Sequence, residues 1–180
     1  MPLLSDYARR KKIKYFLSDL RSNARVLEIG SGSRWVETYL RSAGVNDYVG
    51  VDLLPPADIV GDIRDWKQLG LQADSFDIVI AFEVVEHVDC FAECYELLKP
   101  GGVLLITTPV PETDWFLKLL EAIGLNQQRT SPHSNLVDLR KVPAFEKKEI
   151  KTIGFLSQWA KFTKLLEISS EVQAKEWQIN

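Results

Sequence analysis

The amino-acid sequence predicts an α/β fold, a doubly wound, mostly parallel sheet with helices on both faces. Three observations predict it. Short apolar runs alternate with segments whose apolar residues recur at helical spacing, and one run, Phe76 to Phe82, is almost unbroken, as in a strand buried on both faces. Val26 to Gly32, reading Val-Leu-Glu-Ile-Gly-Ser-Gly, ends the first such run in a turn that two glycines permit.

The elements follow in order. Ile13, Phe16, Leu17 and Leu20 recur as one face of an amphipathic helix packed on the sheet before the first strand. The crossover helix is defined by Trp35, Val36, Tyr39, Leu40 and Ala43, and it stops at Gly44. Tyr48 to Val51 reads as strand two. Pro55 and Pro56 exclude a helix between Leu53 and Asp58, and a short strand at Ile59 and Val60 leads to Asp62. Strand four is Phe76 to Phe82. Phe91, Cys94, Tyr95 and Leu98 define the next helix, closed by Pro100-Gly101-Gly102, before strand five from Val103 to Thr107. A helix through Trp115, Phe116, Leu119, Leu120 and Ile123 ends at Gly124, and Asn126 to Pro143 reads as a polar loop. Phe145 to Ile153 carries charges that suit an edge strand. Phe155, Trp159, Phe162 and Leu166 fit helical spacing about as well as a strand.

Composition narrows the function classes. With 180 residues the chain suits one domain, and 46% hydrophobic with 26% charged residues is ordinary for a water-soluble protein. A net charge of −3 gives no general attraction to nucleic acid or to an anionic membrane. The basic residues Arg9, Arg10, Lys11, Lys12, Lys14, Arg21 and Arg25, facing only Asp6 and Asp19, read as a solvated helix face, an acidic partner being the alternative. Neither an export signal nor a run near the ~18 apolar residues of a spanning helix is present, so a cytoplasmic protein is expected. Cys90 and Cys94 lack redox or zinc spacing, Cys94 reads as a small core residue, and no metal site is expected.

The chemistry begins at the glycine turn. Asp52 follows 20 residues after Gly32, the spacing at which an acid receives ribose hydroxyls in a nucleotide-binding βαβ unit. A dinucleotide site would need a third glycine where Trp35 stands. Glu28, two residues before the first glycine, would repel a pyrophosphate and attract a cation, so a ligand with ribose, adenine and a positively charged end fits better.

These motifs resemble those of class I S-adenosylmethionine-dependent methyltransferases, over roughly Asp6 to Pro109. Leu27 to Ser33 resembles the family's first motif, Val49-Gly50-Val51-Asp52 its second, and Gly61-Asp62-Ile63 its adenine-side motif. Phe76 to Val88 resembles the fourth and Leu97 to Leu104 the fifth. Arg34 departs from the pattern, standing where many members carry a further glycine. The resemblance implies a Rossmann-like sheet finished by an antiparallel hairpin, a cofactor-binding core over 1–109, and an acceptor-side part over 110–180. It also implies S-adenosylmethionine as cofactor. Glu28 would hold its amino end, directly or through water, and the backbone of Gly30 and Gly32 would lie along its methionine part. Asp52 would accept both ribose hydroxyls, Asp62 the adenine amino group, and the Ile63 N–H would face a ring nitrogen. Leu53 would touch the ring face and Phe82 would stand beside the methyl. Helix capping or turn formation is the alternative role for each acid.

A sulfonium methyl is already activated, so positioning the acceptor in a dry site is the main task and a base is optional. The two histidines are the candidates for that base. His87 follows strand four, in a pair with Glu86 that packing and capping would also explain, and His133 lies in the loop after strand five. The chain lacks an Asn-Pro-Pro-aromatic motif, which disfavours exocyclic amines of bases and glutamine. A small-molecule acceptor, without nucleic acid, is expected. A non-catalytic cofactor-binding partner is the alternative, and a nucleotide-dependent oxidoreductase is disfavoured by Trp35 and by the absence of a Tyr-x-x-x-Lys pair.

Overall fold

A computed structural model describes residues 3–111, 137–142 and 144–165. Its first helix, α1 (Leu3–Lys12), runs into one π-helical turn over Ile13–Leu17. There follow β1 (Val26–Ile29), α2 (Trp35–Ser42), β2 (Tyr48–Asp52), β3 (Ile59–Val60) and β4 (Phe76–Phe82). After these come α3 (Phe91–Leu97), β5 (Leu98–Pro109), β6 (Phe145–Ile153) and β7 (Ser157–Lys164). The seven strands form one sheet in the order β3-β2-β1-β4-β5-β7-β6. β1 to β5 run parallel, while β7 is antiparallel to both β5 and β6, so the sheet ends in the hairpin expected of the fold class.

Period-two alternation along the strands divides the core between two faces. On one face Leu27, Ile29, Val79, Ala81, Leu104 and Ile106 pack with Cys94 and Leu97 of α3. On the other, Val26, Ile80 and Leu105 pack with Val36 and Leu40 of α2 and with Phe16 and Leu17 of the π turn. Glu28 and Phe82 belong by alternation to the second face. The register pairs Ile29 with Val51 and with Ala81, and Phe82 with Thr107, which brings the carboxyl ends of β1, β2, β4 and β5 to one edge. Strand order reverses between β1 and β4, and ligands of such sheets bind outside that crevice.

Three elements differ from the sequence reading. Of the residues at helix spacing, Ile13, Phe16 and Leu17 belong to the π turn and Leu20 lies beyond it; the turn is closed by the Ser18 N–H donating to the Ile13 carbonyl at 3.0 Å and buries the consecutive pair Phe16 and Leu17. β5 starts at Leu98 rather than Val103, because Leu98 already pairs with Phe76, and the extra residues through Gly101, left-handed at φ 78°, are taken up by a register shift before Ile78 pairs with Val103. Of the ambiguous aromatic segment, Ser157–Lys164 is a strand, with Trp159 on the α2 face and Ala160 and Phe162 on the α3 face, while Phe155 lies in the preceding turn and Leu166 outside the described residues. The predicted helix through Trp115 to Ile123 lies outside the described residues. Among those described, no helix is long and apolar enough to cross a membrane.

Candidate functional site

A cavity of about 740 Å³ opens at the carboxyl edge, within the roughly 300–1,000 Å³ range of small-ligand sites. Its floor is the turn after β1. Gly30 and Gly32 adopt φ of 75° and 44°, in the left-handed region, and a Cβ on Gly30 would meet Val84 Cγ2 at 2.6 Å. The strand thus turns under the cavity only because this position has no side chain. Arg34, also left-handed at φ 56°, keeps the turn that a glycine would give, and its guanidinium pairs with Glu37 and, at 2.6 Å, with Asp58.

One side of the cavity is built by the ends of β2 and β3, with Asp52, Leu53, Gly61, Asp62 and Ile63 in its wall. Asp52 Oδ2 accepts the Gly32 N–H at 2.8 Å and Oδ1 the Leu54 N–H at 3.2 Å. A carboxylate has about four acceptor directions, so each oxygen keeps one for a ligand hydroxyl. Asp62 caps the 3-10 turn Ile63–Asp65 through the Arg64 N–H at 3.0 Å, and the Arg64 guanidinium chelates it. That side-chain bond, opposed by partial burial, lowers the Asp62 pKa. Leu53 is 66% exposed, an apolar side chain offered to whatever occupies this end.

Two predicted residues sit elsewhere. Glu28 is 2% exposed beneath the turn, accepting a hydrogen bond from the Tyr48 hydroxyl, and it is not among the cavity-lining residues. Burial pushes its pKa up to about 8; the Tyr48 bond opposes this, and Asp52 and Glu37 add to it. Phe82 packs on the α2 face, its ring 5.1 Å from Phe16 and 6.1 Å from Trp35, with Lys12 Nζ 5.2 Å from its centroid. β4 presents Phe82 there because Ala81 already faces α3.

The opposite wall is Glu83, Val84, His87, Val88 and Asp89. Glu83 follows β4 at φ 57°, its N–H donating to the Thr107 carbonyl at 2.9 Å. Its Oε1 accepts Lys12 Nζ and Thr107 Oγ1, each at 2.8 Å. Glu86 is 1% exposed and accepts from Thr108 Oγ1 at 3.0 Å; burial and the neighbouring Glu83 push its pKa up to about 9. Sequence reasoning missed the Lys12 to Glu83 contact, since 71 residues separate the pair; the signal was a charged residue at the end of an apolar strand. His133, Trp115 and Phe116 lie outside the described residues. No cluster of three or more His, Cys, Asp or Glu among the described residues is arranged to hold a metal ion.

Known proteins are similar to this chain in part of the sequence and in architecture. A family model described as a methyltransferase domain matches residues 5–147. The ubiquinone biosynthesis O-methyltransferase of Azorhizobium caulinodans is 30% identical over 129 residues, covering 59% of this chain and 51% of that protein. The mitochondrial ubiquinone biosynthesis O-methyltransferase of Mus musculus is 58% identical over 129 residues, covering 60% of this chain and 35% of that protein. The chain thus spans about half, or less, of the length of these relatives. In the solved complex between the Haloferax volcanii Trm112 methyltransferase activator and a methyltransferase, one chain is similar with a TM-score of 0.64 and 18% identity, covering 91% of this chain and 96% of that one. The PH0226 protein of Pyrococcus horikoshii gives 0.63 and 18%, covering 88% and 91%. At that identity the two structures speak to the fold alone.

Proposed function

This chain belongs to the methyltransferase-domain family, of the class I S-adenosylmethionine-dependent type, and on that premise we propose that it transfers the methyl group of S-adenosylmethionine to a small-molecule acceptor. The observation that carries the reading is the Asp52 carboxylate, tied to the Gly32 backbone at the rim of the cavity with acceptor directions to spare. The cavity fits the cofactor in kind: a side-chain-free turn, two carboxylates for hydroxyl and amino donors, and an apolar Leu53 for a base face.

In this reading Asp52 takes the ribose hydroxyls, while Asp62 and the Ile63 N–H take the adenine edge against Leu53. Gly30 and Gly32 run along the methionine part, which Glu28, beneath them, approaches through water. Phe82 backs the reacting end from the α2 face. The cofactor, when bound, supplies an activated methyl on sulfur. The chain then needs only to orient an acceptor and exclude water, with His87 on the cavity wall as one candidate to take up a proton. His133 is a second candidate, and residues 110–180 supply the acceptor side.

Relatives named for O-methylation make a hydroxyl the first acceptor atom to test. Incubation with methyl-labelled S-adenosylmethionine and a panel of catechols, phenols and amines should label at least one product. Tight cofactor binding with no labelled product in any member would favour the non-catalytic cofactor-binding partner.

A further inference from the structure

Glu83 is held in a way that packing alone does not require. It is a non-glycine residue in the left-handed region, which costs about 1 kcal/mol or more, and such strain persists where surrounding contacts enforce it. Here the Thr107 carbonyl, the Thr107 hydroxyl and Lys12 Nζ enforce it together. Lys12 is 11% exposed in its side chain, so an ammonium from the last residue of α1 has been withdrawn from water to meet this one carboxylate. The Glu83 side chain keeps 40% exposure and faces the cavity.

The neighbouring groups leave the negative charge on Glu83. Burial opposes its ionisation, but Lys12, the Thr107 hydroxyl and a hydrogen bond from Glu86 outweigh it and lower its pKa. Glu86, pushed the other way, holds the proton of the pair. Across the cavity Arg64, the one guanidinium among the described lining residues, is chelated to Asp62. Along the carboxyl edge the order is Asp62, Asp52, the Gly30 to Gly32 turn, and then Glu83, following β3, β2, β1 and β4. A nucleoside seated at Asp52 and Asp62, with its chain along the glycine turn, has its other end directed toward β4.

We propose that Glu83 is the counter-charge by which this site reads the positive sulfonium of S-adenosylmethionine, with Lys12 as the positioning residue that fixes the carboxylate in the wall. The inference rests on the cofactor reading above and adds a specificity element to it. Charge discrimination also has a use in turnover, because methyl transfer leaves a neutral thioether, which a carboxylate holds less tightly than the cation.

Isothermal calorimetry with three ligands tests the assignment: S-adenosylmethionine, sinefungin, which carries an ammonium-bearing carbon in place of the sulfonium, and the neutral S-adenosylhomocysteine. Glu83→Gln should weaken the two cationic ligands about tenfold, the scale of one charge pair in partly screened surroundings, and leave the neutral one within about twofold. Lys12→Met, which removes the contact that fixes the carboxylate and helps keep it ionised, should narrow the preference for the cationic ligands by about threefold. Equal weakening of all three ligands by Glu83→Gln would mean that Glu83 is only structural and would overturn the proposal, as would an unchanged ratio in both variants. Failure of all three ligands to bind the folded wild-type chain would instead overturn the cofactor reading, and this inference with it.

Discussion

The Asp52 carboxylate accepts the backbone N–H of Gly32 at 2.8 Å, joining the end of β2 to the turn after β1 across 20 residues. One side chain therefore shapes the floor of the cavity and forms part of its rim. Asp52→Ala should weaken S-adenosylmethionine binding by about 1.5–3 kcal/mol per charged hydrogen bond lost, with the chain still folded. Calorimetry beside a far-ultraviolet melting curve checks this, and unchanged affinity in a folded variant would remove Asp52 from the site.

Gly30→Ala should cost stability and affinity together. The new Cβ would stand 2.6 Å from Val84 Cγ2 at φ 75°, so both contact and backbone are strained, by about 1–2 kcal/mol from the backbone alone. Adding Val84→Ala should restore the contact part and leave the backbone part. A double variant as stable as the wild type would show that the left-handed turn carries no cost.

Glu28→Gln should change the pH dependence of stability. Because the folded state holds the Glu28 proton up to about pH 8 while an unfolded chain releases it near the ordinary carboxyl value, stability due to this group is full at low pH and is lost as pH rises between them. Relative to Glu28→Gln, the wild type should lose up to about 1.4 kcal/mol per pH unit between roughly pH 5 and 8. Glu86 has the same sign and is present in both chains, so the difference isolates Glu28. Urea unfolding at four pH values reads it out, and parallel curves would mean that Glu28 is ionised in the fold.

The sheet was legible because its signals are local. Phe76 to Phe82 reads as a doubly buried strand from its own composition, and the glycine turn declares itself in seven residues. What escaped were relationships set by the face on which a side chain emerges. Glu28 lies two residues before Gly30, yet strand alternation sends it beneath the turn to Tyr48, and the same alternation turns Phe82 toward Phe16. Lys12 and Glu83 meet only because α1 packs on the α2 side of β4, a pairing that no sequence spacing encodes. The stretch from Phe155 is ambiguous because apolar positions at both periods coexist there, and pairing of Ser157 to Thr163 with β5 decides for a strand over that part.

The most direct test of the account is equilibrium binding of S-adenosylmethionine and of NAD to the same preparation. Trp35 opens α2 where a dinucleotide site needs a glycine, and Asp52, Asp62 and Glu83 line the cavity with negative charge. The account predicts that calorimetry finds S-adenosylmethionine and its demethylated product binding at one site, with NAD far weaker. NAD binding tighter than either would contradict it.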